Sequence, residues 1–285
     1  MRHLSILGIL LMILSGCSSG HDHDRAAIAV SFEPQAWMLS QIAGDDFNII
    51  TLLPPGSDPE TFQPSISTMK DLGNAETFLT LGTDGFEKSL TETINSNFPD
   101  LDIIDCSLRI EKISGTHGSE YADHDHKSDF DPHMLSSIRN CIIIADNMTR
   151  TLIEIHPEKK EKYQKAGTEL KRRLQEMDDS ISAMDLSGNS VAMRHPSLSY
   201  FARDYGLKQI SLQENGKEVS PIQLKNRMEE IKGQGTKIFI LEKEHATPGD
   251  EETAKQIGLN IVDVSLNSSS WLNDLMKIAN EINRD

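Results

Sequence analysis

From residue 26 onward, short apolar runs alternate with stretches whose apolar residues recur every three or four positions. Residues 26–32 have the length and composition of a buried strand, and Trp37, Leu39 and Ile42 follow at helical spacing up to Gly44. A second run, 47–53, leads into a loop over 54–64 that Pro54, Pro55, Pro59 and Pro64 stiffen. Further strands are predicted at 77–81 and 101–104, with a helix at 86–94 between them. Strands alternating with helices specify a parallel sheet.

Residues 107–132 break this rhythm with a polar stretch rich in Asp, Ser, Gly and His, long for a loop inside a compact domain. Helical spacing resumes at Ile138, Ile142, Ala145, Leu152 and Ile155, pauses at His156-Pro157, and continues through Tyr163, Ala166, Leu170, Leu174, Met177 and Ile181. A helix of about 25 residues is about 37 Å long, enough to join two lobes; a helical hairpin inside one domain is the alternative. After Gly188 come strands at 190–194, 209–212, 237–242 and 260–264, with helices at 199–204, 222–232, 251–257 and 271–282. The expected fold is α/β: two parallel-sheet lobes, 26–140 and 185–285, bridged by a long helix within 141–184.

The N-terminus changes where this fold is expected to work. Arg2 precedes an apolar stretch over 4–14, too short for a bilayer span of roughly 20 residues. It ends in Leu14-Ser15-Gly16-Cys17, which resembles the lipobox of bacterial lipoproteins. That resemblance implies removal of 1–16, acylation of Cys17 as a bilayer anchor, and a tether over 17–25. An ordinary signal peptide with an incidental cysteine is the alternative. The lipobox reading places the remaining chain in the bacterial cell envelope, lipid-anchored on the extracytoplasmic or periplasmic side. Spacing leaves open whether Cys106 and Cys141 pair, and Cys141 also fits a helical core position with Ile138 and Ala145.

Composition narrows the partners. With 37% hydrophobic and 25% charged residues the 285-residue chain has enough apolar side chains for real cores. Its net charge of −16 argues against nucleic acid and anionic surfaces and is compatible with catching cations.

The candidate chemistry is histidine and carboxylate. His117, His124, His126 and His133 are interleaved with Glu120, Asp123, Asp125, Asp129 and Asp131, a metal-ligand composition without the spacing that defines one site. The loop with His117, His124 and His126 reads as an auxiliary, weak metal binder. Glu60, between Pro59 and Pro64, and His195, before Pro196, lie just beyond the carboxyl ends of strands, where open α/β sheets place ligands. His133 follows Asp131-Pro132 at a helix start.

Several segments occur in a familiar order: Leu53-Pro54-Pro55-Gly56 through Pro64 with the helix and strand over 69–82, then Asp131-Pro132-His133-Met134-Leu135-Ser136. His195-Pro196-Ser197-Leu198-Ser199-Tyr200-Phe201 follows, continuing to Leu207, and then the strand over 239–242. Together they resemble the metal-specific, cluster A-I solute-binding lipoproteins of zinc and manganese ABC importers. The resemblance implies two α/β lobes bridged by a rigid helix, a metal site between them, no catalysed reaction, and a monomer that works with an inner-membrane permease and its ATPase. Ligand roles carry over to Glu60, His133 and His195, and a histidine at the last position marks zinc-type members. Two positions depart: the family's first ligand is normally His rather than Glu60, and its C-terminal Asp is replaced by Ser265. The site keeps one negative charge either way. Water, Glu244 or Asp263 could complete it, with water or Glu244 preferred. Such donors suit Zn2+ first, with Mn2+ or Fe2+ as alternatives. Other readings are a metal-storage or chaperone lipoprotein without an importer, and a zinc-dependent hydrolase with Glu242 or Glu244 as base. The last lacks any HExxH pattern or nucleophile motif.

Overall fold

Residues 25–59, 61–83, 86–114, 130–214 and 217–284 are described by a computed structural model. In the first lobe β1 (Ala27–Val30), β2 (Asn48–Thr51), β3 (Ala75–Thr80) and β4 (Asp102–Asp105) form a wholly parallel sheet in the order β2-β1-β3-β4. Its crossovers are α1 (Glu33–Ala43), α2 (Ile66–Leu72) and α3 (Phe86–Asn97). Two longer helices follow, α4 (Ile138–Ile155) and α5 (Lys160–Ser182), the latter entered through a 3-10 turn at Pro157–Lys159.

The second lobe holds β5 (Ser190–Met193), α6 (Ser199–Tyr205), β6 (Lys208–Ser211), a small hairpin β7 (Gln213–Glu214) and β8 (Lys217–Glu218), then α7 (Pro221–Gly233). It continues with β9 (Ile238–Glu242), α8 (Pro248–Ile257), β10 (Asn260–Val264) and α9 (Trp271–Ile282). Its main sheet is also all parallel, in the order β6-β5-β9-β10. Both lobes therefore arrange their strands as second, first, third, fourth. This shared plan leaves no sequence repeat, because a parallel sheet constrains only which positions are apolar. The central strands β1 and β5 are buried along their whole length, as expected for strands covered on both faces.

α5 lays Tyr163, Leu170, Leu174 and Ile181 inward, and it packs on α4, α1 and α9. One apolar cluster consequently runs through both lobes, from Ile28 and Val30 through Ile144 and Leu174 to Val191, Ile240 and Trp271. Trp37 of α1 meets Trp271 of α9 edge to face at 5.3 Å. Cys106 and Cys141 lie buried in this cluster as free thiols rather than a disulfide. Among the described residues no helix is long and apolar enough to cross a membrane.

Candidate metal centre

In each sheet the chain reverses direction between the first and third strands, the crevice where open α/β sheets receive ligands. In the first lobe a carboxylate of the lobe itself fills that crevice. Glu87 is buried there and accepts from Ser31 Oγ, from the backbone N–H of Leu81 (3.0 Å), and from both the N–H and the hydroxyl of Thr83 (2.7 Å each). In the second lobe the same crevice lies between the ends of β5 and β9, and the residues beyond those ends are His195, Glu244 and His245.

Local chemistry fixes these positions. Arg194, directly before His195, is clamped by the fully buried Asp250 (Nε to Oδ1, 2.7 Å) and by Thr247. Asp250 is itself the capping residue in the first turn of α8. The Arg194 carbonyl accepts from the Gln213 N–H, and Ser197 N–H donates to the His195 carbonyl at 2.9 Å. His133 is held by one oxygen of Asp131, which accepts from both its backbone N–H and its Nδ1–H, each at 2.8 Å. The Asp131 carbonyl in turn accepts from Tyr200 Oη at 2.7 Å.

The two histidines meet edge to face, with ring centres 4.9 Å apart and Nε2 to Nε2 at 3.0 Å. With Nδ1–H committed to Asp131, His133 turns its Nε2 to the Nε2 of His195. Two nitrogens on one tetrahedral ion with bonds of 2.0–2.1 Å stand roughly 3.3 Å apart. The pair is thus already close to the separation that a shared cation requires, and the Asp131–His133 contact is the outer-shell arrangement that orients a metal-binding imidazole.

Electrostatics favour the unprotonated form of His195 and His245. Burial, then the neighbouring His133 and His245, push His195 down to about 2. His245 is lowered too, by burial against the opposing charge of Asp58. Burial works to raise Asp131, but its hydrogen bonds and charge contact with His133 outweigh that and hold it below the usual carboxylate range. Glu242, which accepts from Ser197 Oγ, is pushed up to about 7 by burial, with Glu244 and Asp58 adding to the rise. Glu244 is buried, and its Oε1 accepts from Ser265 Oγ and from the Asn267 N–H at 3.2 Å. Its Oε2 is buried with no hydrogen-bond partner.

The structure therefore brings His133 and His195 together and sets Glu244 in the turn after β9, next to His245 and hydrogen-bonded to Ser265. Asp263 is exposed on β10. Glu60, Cys17, His117, His124 and His126 lie outside the described residues. Among the described residues no three His, Cys, Asp or Glu side chains form a finished metal cage. Sequence reasoning missed His245, although it follows a predicted strand end just as His195 does. It stacks on His195 with ring centres 4.1 Å apart.

A family profile described as zinc-uptake complex component A, periplasmic, matches residues 28–274. The zinc-binding lipoprotein AdcA of Streptococcus pneumoniae is 26% identical over 230 residues, covering 74% of this chain and 44% of AdcA. The chain thus spans about half the length of that relative. A Chlamydia trachomatis protein provisionally named as metal-binding is 30% identical over 223 residues, covering 76% of this chain and 77% of the other. Among solved structures, a deletion mutant of ZnuA with zinc bound matches with a TM-score of 0.81 and 26% identity, covering 91% of this chain and 97% of that one.

Proposed function

Because the chain belongs to the zinc-uptake complex component A periplasmic family, we propose that it is an extracytoplasmic solute-binding protein that captures a divalent metal, zinc before manganese or iron, for an ABC importer. The metal is cargo, and no reaction is catalysed. His133 and His195 bind it through Nε2, and Glu60 and Glu244 are the carboxylate candidates. The observation that carries this reading is the His133–His195 pair, with Nε2 atoms 3.0 Å apart and Asp131 behind the first ring. The buried, unpartnered Oε2 of Glu244 supports its place in the set. A buried carboxylate oxygen without a donor is costly, and a cation satisfies it. Acylation of Cys17 holds the protein at the membrane surface, where it hands the metal to the permease and its ATPase as a monomer.

Chelator-competition titration of the metal-free protein starting at Ser18 tests the binding, comparing zinc with manganese. One tight zinc site lost in His133→Ala and His195→Ala is the expected result; weak, multiple binding that survives both substitutions overturns it. Delivery is tested by deleting the gene and measuring metal uptake in metal-poor medium. Uptake should fall, and unchanged uptake would make the protein a store or chaperone.

A further inference from the structure

One imidazole beside the proposed cargo site has no role in it so far. His245 follows Glu244 in the turn after β9, and its side chain is only 9% exposed. It lies face to face with His195, with ring centres 4.1 Å apart and planes inclined by 21°. Its nearest charged neighbours are Asp58 Oδ1, 3.9 Å from Nδ1, and Glu242 Oε1, 4.0 Å from Nε2. Neither distance is a hydrogen bond. Among the described residues, none holds either ring nitrogen. Neither ring nitrogen is sealed from solvent, so either is accessible to an incoming ion. This ring is held by stacking, and it can turn about Cβ–Cγ, a broad torsion.

The donor count points the same way. The resemblance implied three histidines and one aspartate, and this chain has Glu60 and Ser265 at two of those positions. On the second lobe stand an additional imidazole, His245, and a carboxylate, Glu244, that Ser265 itself hydrogen-bonds.

Resting on the metal-carrier reading, we propose that His245 is a third imidazole ligand, so that the cargo is bound through His133, His195 and His245. The rings of His195 and His245 lie nearly parallel, so His245 turns to present a nitrogen to the ion that the other two frame. Three imidazoles suit zinc, whereas manganese prefers oxygen donors. His245 is therefore also a determinant of which metal is carried.

X-ray absorption at the zinc edge of the loaded wild-type protein counts imidazole ligands directly and needs no variant. Three are expected, and two would overturn the proposal. His245→Phe keeps a ring stacked on His195 but removes its nitrogens, and its metal-free thermal melt should match the wild type. Its zinc spectrum should show two imidazoles, and its zinc affinity should fall by at least about 100-fold, beyond the range typical of losing an outer-shell partner. Its preference for zinc over manganese should narrow. If His245→Phe keeps wild-type zinc affinity while His195→Ala loses it, only the role of His245 is overturned. A wild-type protein with no tight zinc site overturns this proposal and the carrier reading together.

Discussion

Asp131 organises His133 through a single oxygen, which accepts from both the backbone N–H and Nδ1–H. Asparagine keeps an acceptor there but loses the charge that makes the imidazole a better donor to a metal. Asp131→Asn should therefore fold normally and bind zinc about 10–100-fold more weakly in chelator competition. His195 carries a stability cost as well as its proposed binding role. The unfolded chain takes up a proton near the ordinary value of 6.5, whereas the folded site refuses it down to about 2. Between these limits the unfolded state binds more protons, so stability rises with pH and falls on acidification. Urea unfolding of the metal-free protein at pH 7 and pH 5 should show that loss, and His195→Phe, which cannot titrate, should show less of it. Burial pushes the thiols of Cys106 and Cys141 up to about 12. Iodoacetamide at pH 8 is accordingly expected to label neither in the native protein starting at Ser18 and both in denaturant; native labelling would show that the core around α4 opens.

At the scale of elements, α5 runs so close to α4 that a Cβ on Gly167 would sit 2.2 Å from Thr149 Oγ1 and 2.8 Å from its Cγ2. Alanine would gain about 1 kcal/mol of helix propensity, but it overpacks a contact that the β-branched, hydrogen-bonded Thr149 cannot easily yield. Overpacking costs about 1–3 kcal/mol, so Gly167→Ala should destabilise the protein, and adding Thr149→Ala should recover most of the loss. A double-mutant cycle of denaturant midpoints measures the coupling. The elements legible in the sequence are those whose burial imposes a period. β1 and β5 are short continuous apolar runs, and α5 shows a regular stripe. α2 has no stripe because Leu72 alone is buried and Ile66 is 91% exposed, and the polar hairpin β7–β8 has no apolar face to betray it. The same limit applied at the site. His133 and His195 were legible because each sits beside a proline next to a predicted element. His245 was not, because it reaches His195 only through the parallel pairing of β5 with β9, where Met193 lies opposite Ile240. That pairing is a tertiary fact, invisible along the chain.

At the scale of the molecule, two lobes of one strand order share a single apolar cluster. Polar ties add to it. Arg139 of α4 bonds Asp178 of α5, which also accepts from Tyr205 Oη of α6 at 2.7 Å, and Ser137 bonds Asp204. The lobes are therefore expected to unfold together. The proposed metal site draws His133 from the segment leading into α4 and His195 from the second lobe, so bound zinc would add its stabilisation to that one transition. A ligand at 100 times its dissociation constant stabilises by about 2.7 kcal/mol, and in a chain of this size each kcal/mol is worth about 2–4 °C. Zinc should raise the melting temperature by about 5–10 °C, chelator should reverse the rise, and calorimetry should record one peak moving intact. Two peaks, with zinc shifting only one, would mean that the shared core does not couple the lobes and that the site is built on the second lobe alone.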